Sequence, residues 1–528
     1  MNEPAKQPVR SNNNWTLIIF PLVIIAVISG FLLAFPAQAE VFVNGLQNIF
    51  VNKLGFFYIL IGMFVLAASL AVAFSKYGTI QLGKLEKPRY SNFHWGAMIF
   101  TSTMAADILY WSLIEWAYYY TANPEGAAEY TQVQQQMWAS SYPLFHWGPI
   151  PWAFYILPAV AYAYRFFVRK KPKQSLSEAC RPILKNRVDG PLGRIIDIFA
   201  IVGLLAGTAT TFSAATPLLS QAVCELFGIQ QSNLLTISVL VVIGVVFTLA
   251  VLLGMKAISK LAVVCVAVFG VLLSLFILFG PKVYLLESGI TGIGNMIQNF
   301  IGMCTWTDPL RATGDGVTGF PQAWTIFYWA YWIAWFVATP FFIASISEGR
   351  TIRQTILGAF GFGLAGTYTS FVVFGNFGLY QQTSGAVDAA GMLNDGASPA
   401  QVIVEIFKQL PVGNLALGVL VIAMIAFYAS TFDAITMVMA NFSTRELKPD
   451  AEPSKKLRGF WALVFLILPI ALIYSDSTLN MLKTLSIVAA FPLGLIMLTI
   501  IFGFFRELKQ HAKREANGSL EDTENEEA

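Results

Sequence analysis

The stretch AWTIFYWAYWIAWFVATPFF, Ala323–Phe342, decides how this chain is read. It is apolar enough to lie in a bilayer, yet it is crowded with indoles where Leu, Ile and Val would give lipid solubility alone. On an α-helix Trp332 and Trp335 share a face, and Tyr331 sits one turn from Trp335. At 1.5 Å rise per residue these two tryptophans lie roughly 12–17 Å inward of Trp324, near the middle of a hydrocarbon core about 30 Å thick. Interfacial tryptophans sit at the rim of a membrane. Aromatic faces at mid-membrane point to a cation that passes through.

The rest of the chain agrees with a membrane setting. Of 528 residues, 56% are hydrophobic and only 12% charged, about half the share of a soluble domain. The mean hydropathy is +0.62. Twelve apolar runs follow one another: Trp15–Phe35, Phe56–Phe74, Trp95–Tyr119, Tyr142–Tyr164, Ile195–Val223, Leu234–Leu253, Leu261–Phe279, Trp324–Ala344, Ile356–Tyr380, Gly413–Met439, Trp461–Tyr474 and Met481–Phe505. The length rule makes them about twelve spans, with Trp461–Tyr474 the shortest. The first run precedes Ala37-Gln38-Ala39, which looks like a signal-peptidase site, but its length exceeds a signal h-region and reads as a retained span.

Lys and Arg cluster in the connections that follow even-numbered spans, for example Arg165–Arg194 and Arg445–Arg458. The connection Thr121–Ser141 has neither and carries Glu125 and Glu129. This alternation places both termini in the cytoplasm of a multi-pass protein of the inner (plasma) membrane. Residues 1–14 and 506–528 read as cytoplasmic tails around a transporter domain, 15–505, and the segment from Glu507 on as disordered. Between spans seven and eight, Ile290–Met303 reads either as an amphipathic helix on the outer surface or as an irregular loop.

The net charge of +3 gives no reason to expect nucleic acid. Cys180, Cys224, Cys265 and Cys304 have no paired spacing, and the only histidines are His94, His146 and His511. No cofactor is expected beyond a coupling Na⁺ or H⁺, and no nucleophile–base pair suggests an enzyme.

Charges inside spans are candidate functional sites. Asp107 lies near the middle of span three, Glu115 two turns farther out, and Asp433 near the inner end of span ten. No Lys or Arg is expected deep in any span to pair with them. Asp107 could exchange a proton or face a cationic substrate; Glu115 and Asp433 could equally be hydrogen-bonded to backbone at a helix break. A second aromatic group, FHWGPIPWAFY (Phe145–Tyr155), brings Trp147, Trp152 and Tyr155 next to a Gly-Pro break. Several such faces can hold a quaternary ammonium group, which has no N–H to donate. Hydroxyls at Ser430 and Thr431, and at Thr208, Thr210, Thr211 and Ser213, could bind Na⁺ or bond back to their own helices. Small and polar residues in span three (Thr101–Ala106) and Ala338-Thr339-Pro340 in span eight are breaks at matching places of two five-span halves.

The chain resembles the betaine/choline/carnitine transporter family in FHWGPIPWAFY, FYWAYWIAW (Phe327–Trp335) and ISEGRTIRQ (Ile346–Gln354), and its span pattern extends the likeness over nearly all of it. TPL…LFGI (Thr216–Ile229) and FPQAWTIFYWA (Phe320–Ala330) are most similar to the carnitine/butyrobetaine exchanger branch. The resemblance implies an all-α integral membrane protein with a LeuT-like 5+5 inverted repeat, about 93–280 and 324–505. It also implies two extra N-terminal helices and a homotrimer. Trp147, Trp152, Tyr155 and Trp332 would form its aromatic box, the ammonium head would sit among these rings and that of Tyr331, and Trp335 would lie below on the cytoplasmic path. Thr101, Met104, Phe427, Ser430 and Thr431 would be the ligands of a sodium ion.

Three departures bear on coupling. Tyr331 stands where the family commonly has Trp. Thr339 and Cys265 stand where sodium-independent exchangers carry Met and Arg. TMAAD (Thr103–Asp107) replaces a glycine-rich stretch, and its acid resembles that of proton-coupled choline carriers. The expected function is secondary active transport of a small quaternary ammonium compound such as carnitine, glycine betaine or choline. The ammonium would sit in the aromatic cage, with coupling to H⁺, to Na⁺ or by exchange. An amino-acid or amine symporter of the same fold is the alternative, ahead of a membrane-embedded enzyme or a channel.

Overall fold

Backbone amides in a bilayer must be satisfied within their own segment, and the chain answers with helices throughout. A computed structural model describes residues 13–101, 105–126, 129–171, 174–251, 255–312, 319–445, 453–475 and 479–516. Among these there is no strand, only isolated bridges at Asn13–Thr444 and Gln81–Thr351. The principal helices are α1 (Trp15–Ala34), α2 (Phe56–Phe74), α3 (Asn92–Thr101), α4 (Ala105–Ala122), α5 (Gln132–His146), α6 (Pro149–Ala163), α7 (Pro191–Phe227) and α8 (Asn233–Val251). They continue with α9 (Met255–Phe279), α10 (Lys282–Thr305), α11 (Ile326–Trp335), α12 (Thr339–Ile346), α13 (Ile352–Ser370), α14 (Gly413–Phe442), α15 (Lys455–Tyr474) and α16 (Leu479–Ala516).

Seven helices among the described residues are long and apolar enough to cross a membrane alone, and ten if each bent pair counts as one. The expected short eleventh span is a 20-residue helix, because it begins at Lys455, six residues before its apolar run. The ambiguous connection is helical: α10 turns 112° away from α9 and lays Val283, Leu286, Ile290, Ile297 and Ile301 outward while packing on α5.

Two bends shape the interior. The α3–α4 pair turns by 61° and the α11–α12 pair by 54°. Each heads a run of five: α3–α4, α5–α6, α7, α8, α9, and α11–α12, α13, α14, α15, α16. The second bend follows from Pro340, which has no N–H to give and disfavours helical geometry before it. A third interruption falls at Trp147–Gly148, ahead of Pro149 and Pro151.

The segment after Glu507 departs from expectation, since α16 runs on through Ala516. Side-chain docking holds this extension. Arg165 donates to Glu507 (2.7 Å) and to Glu178 (3.1 Å), and Tyr164 meets Nδ1 of His511 at 3.1 Å. At about 1.5 Å per residue, a helix of 38 residues outruns a hydrocarbon core of about 30 Å, so its last turns stand outside.

Candidate functional site

The two aromatic stretches meet. Trp147, at the α5–α6 break, and Trp152 and Tyr155, on the first turns of α6, surround Trp332 of α11. Ring centroids stand 5.4, 5.5 and 4.9 Å from Trp332 respectively. All four rings are buried. Gly363 of α13 permits this approach, since a Cβ there would come within 2.6 Å of the Trp152 ring. Nε1 of Trp152 and Trp332 finds no acceptor among the described residues. The cluster is therefore a set of π faces without a competing protein cation, the chemistry that suits methylated ammonium.

Tyr331 does not turn toward these rings. It stacks on Phe327 at 5.3 Å and donates its hydroxyl to Oδ1 of Asp107 at 2.6 Å. The Thr211 hydroxyl of α7 stands 3.0 Å from Oδ2 and 2.6 Å from the Tyr331 hydroxyl, and its single proton serves one of the two. Asp107, Tyr331 and Thr211 thus close a buried ring of three at the start of α4. Two of the departures noted in the sequence, Tyr331 and Asp107, are each other's partners. Trp335 is buried one turn below Tyr331, against Gly207 of α7, and its Nε1 has no acceptor among the described residues.

Glu115 has partners that the sequence did not suggest. Its carboxylate accepts from Nε1 of Trp147 at 2.7 Å and from the Tyr119 hydroxyl at 2.6 Å. His146 meets Tyr119 through Nδ1 at 2.8 Å and Thr325 through Nε2 at 3.0 Å. Glu115 thus anchors one wall of the ring cluster through side chains, not through backbone at a helix break.

Lys483 corrects the expectation that no span holds a buried cation. It lies five residues into α16, donates to the Ala323 carbonyl at 3.1 Å, and sets Nζ 3.1 Å from the Trp324 ring centroid. It is close enough to act on Glu115 electrostatically. The signal was present: Lys483 is a charge inside the apolar run Met481–Phe505, where charges are expensive. The cation–π contact and the neighbouring carboxylate make that position tolerable.

The expected sodium ligands among the described residues lie on α3 and α14. Thr101 bonds back to Ala97 O at 2.8 Å, and Phe427 packs its ring on Phe100 and Phe269. Ser430 and Thr431 are buried on α14, and Oγ1 of Thr431 has no partner among the described residues. Met104 and the side chain of Asp433 lie outside the described residues.

Comparison with known proteins places these features in a lineage. A family model described as BCCT, betaine/carnitine/choline family transporter, matches residues 16–513. The chain is 32% identical to the uncharacterized transporter YeaV of Escherichia coli K12 over 452 residues, 85% of this chain and 92% of that one. It is 29% identical to a carnitine transporter of Acinetobacter baumannii, over 83% of this chain and 78% of the relative. It is also 29% identical to a probable glycine betaine transporter of Desulfitobacterium hafniense, over 90% and 93%.

Proposed function

Because the chain belongs to the betaine/carnitine/choline transporter family, we propose that it moves quaternary ammonium compounds by alternating access, coupled to a proton carried on Asp107. One observation carries the reading: adjacent residues of α11 reach both groups, Tyr331 turned to the Asp107 carboxyl and Trp332 to the ring cluster. Substrate occupancy at Trp332 and protonation at Asp107 therefore act on the same helical turn.

The ammonium group sits among Trp147, Trp152, Tyr155 and Trp332, where each desolvated ring face contributes on the order of 1–2 kcal/mol. The proton exchanges at Asp107 without stranding a donor. Tyr and Thr hydroxyls both donate and accept, so the ring of three rearranges when the carboxyl gains its own O–H. The bends at α3–α4 and α11–α12 are the joints about which the two halves rock. The basic connections support an orientation with both termini in the cytoplasm of a multi-pass plasma-membrane protein, and the family likeness alone suggests a homotrimer.

Thr431 keeps a sodium reading in play, since its buried hydroxyl has no partner among the described residues. Reconstituted vesicles decide between them. The expected result is uptake of radiolabelled glycine betaine, carnitine or choline driven by an imposed pH gradient in sodium-free buffer. Uptake that requires a sodium gradient, or that appears only in vesicles preloaded with substrate, removes the proton; no uptake of any of the three removes the substrate class.

A further inference from the structure

We infer that Lys483 is a positioning residue for the substrate cage: its ammonium balances the buried Glu115 carboxylate, and that carboxylate holds the Trp147 wall. The effect on substrate rests on the cage reading above; the effect on Trp147 does not.

Among the described residues Lys483 is the only buried lysine. Its ammonium donates to the Ala323 carbonyl at 3.1 Å and lies over two rings, Trp324 at 3.1 Å and Phe327 at 5.2 Å. Ala323 and Trp324 belong to the π-helical turn Pro321–Thr325 that leads into α11. Carbonyl dipoles and ring faces offer only partial negative charge. Glu115 offers a whole one, and the two side chains act on each other electrostatically. The last helix of the second half is thereby tied to the bent span that heads the first.

The groups that face Glu115 come from every helix around it. Tyr119 of α4 donates to Oε1 at 2.6 Å and Trp147 to Oε2 at 2.7 Å. Nδ1 of His146 on α5 stands 3.5 Å from Oε1, and Tyr328 of α11 also faces the carboxylate. His146 is the rival cation, and proton counting removes it. Tyr119 has one proton and gives it to Glu115, so at 2.8 Å the Nδ1–H of His146 donates to the Tyr119 oxygen. The Thr325 hydroxyl then donates to Nε2 at 3.0 Å. A neutral imidazole makes both bonds, and a second positive charge would be repelled by Lys483. The fixed cation of the group is Lys483.

A buried pair that loses one member leaves the other charge uncompensated, whereas losing both is close to neutral. Without Lys483 the Glu115 side chain takes up a proton, and an acid accepts from an indole N–H about half as strongly as a carboxylate does. Trp147, whose ring stands 5.4 Å from Trp332, is then held less firmly, and the cage loses a fixed wall. Asp107 keeps its own hydroxyl partners, so the defect falls on binding and not on the rate of the cycle.

The test follows Trp147 itself. The full-length transporter is labelled with 5-fluorotryptophan, and the fluorine signal of Trp147 is assigned with Trp147→Phe. Lys483→Met should shift that signal in the same direction as Glu115→Gln, and Lys483→Arg should leave it in place. Radiolabelled glycine betaine, carnitine and choline are measured alongside. The compound that the wild type takes up should bind about three- to tenfold more weakly in Lys483→Met, with the maximal uptake rate kept. The double variant with Glu115→Gln should lose no more than either single one, because both changes remove one interaction. A Trp147 signal indifferent to Lys483→Met overturns the inference, and so do losses that multiply in the double variant. A signal that shifts as expected while binding of all three compounds is unchanged upholds the positioning of Trp147 and sinks the cage. If Lys483→Met does not fold, adding Glu115→Gln should restore the folded yield, since no charge is left alone; a yield that stays low overturns the pairing.

Discussion

Asp107 and Glu115 are two buried carboxylates on one helix, two turns apart, and they are held by different chemistry. Among the described residues Asp107 is bonded only by hydroxyls, those of Tyr331 and Thr211. Glu115 is bonded by an indole N–H and a phenol, with Lys483 close by. A hydroxyl can reverse its hydrogen bond when its partner takes a proton, and an indole N–H cannot. Burial alone therefore does not mark a coupling residue. The partners tell the two apart: the hydroxyls at Asp107 can reverse when a proton arrives, whereas the indole N–H of Trp147 is held on Glu115.

The hardest strike is at the shared centre. Trp332→Leu removes the ring that three others touch, and uptake should fall at least about thirtyfold, the equivalent of roughly 2 kcal/mol of lost cation–π attraction. Surface labelling should find the chain still inserted; normal uptake would end the cage. The two carboxylates then separate. Asp107→Asn should lower uptake about tenfold or more and flatten its pH profile, because the amide cannot carry the proton. Glu115→Gln should keep the profile and raise KM only a few fold, since the amide oxygen still accepts from Trp147. A flattened profile in Glu115→Gln with an unchanged one in Asp107→Asn would reverse the contrast.

Tyr331→Phe sharpens it further. It deletes a 2.6 Å hydrogen bond to Asp107 and leaves the ring in place, so the pH midpoint of uptake should move while choline-binding stoichiometry stays the same. An unmoved midpoint would detach Tyr331 from coupling.

The smallest effect lies outside the bilayer. Burial holds the His511 imidazole below its usual range where it docks on Tyr164. The undocked segment binds the extra proton, so docking is strongest above about pH 6.5 and weakens as pH falls below it. Hydrogen-exchange protection across residues 504–516, taken relative to the intrinsic rate at each pH, should fall on acidification in the wild type and lose that dependence in His511→Gln. A dependence that survives the substitution would assign it to another group.

Much of this was legible in the residues. Crowded indoles in two apolar runs pointed to a cation, and Ala338-Thr339-Pro340 marked a helix break that is present between α11 and α12. Trp461–Tyr474 looked short because hydropathy stops at its charged first turn, whereas the backbone hydrogen bonds do not. Lys483 went unread because a charge near the end of an apolar run looks interfacial until Trp324 is seen beneath it. The helix after Glu507 went unread because it is docked through Arg165, more than three hundred residues earlier.

Hydropathy and residue type, read along the chain, were enough to determine an all-helical membrane protein, the break at Pro340, and most of the residues whose chemistry is unusual for a bilayer. Both are local properties of the sequence, set by the solvent each segment must tolerate. Which unusual residue meets which was decided only by the tertiary structure. Tyr331 and Trp332 are neighbours in sequence, yet the helix turns one toward Asp107 and the other toward Trp152 and Tyr155. Direction around a helix acquires meaning only once its neighbours are in place, and those neighbours lie hundreds of residues away.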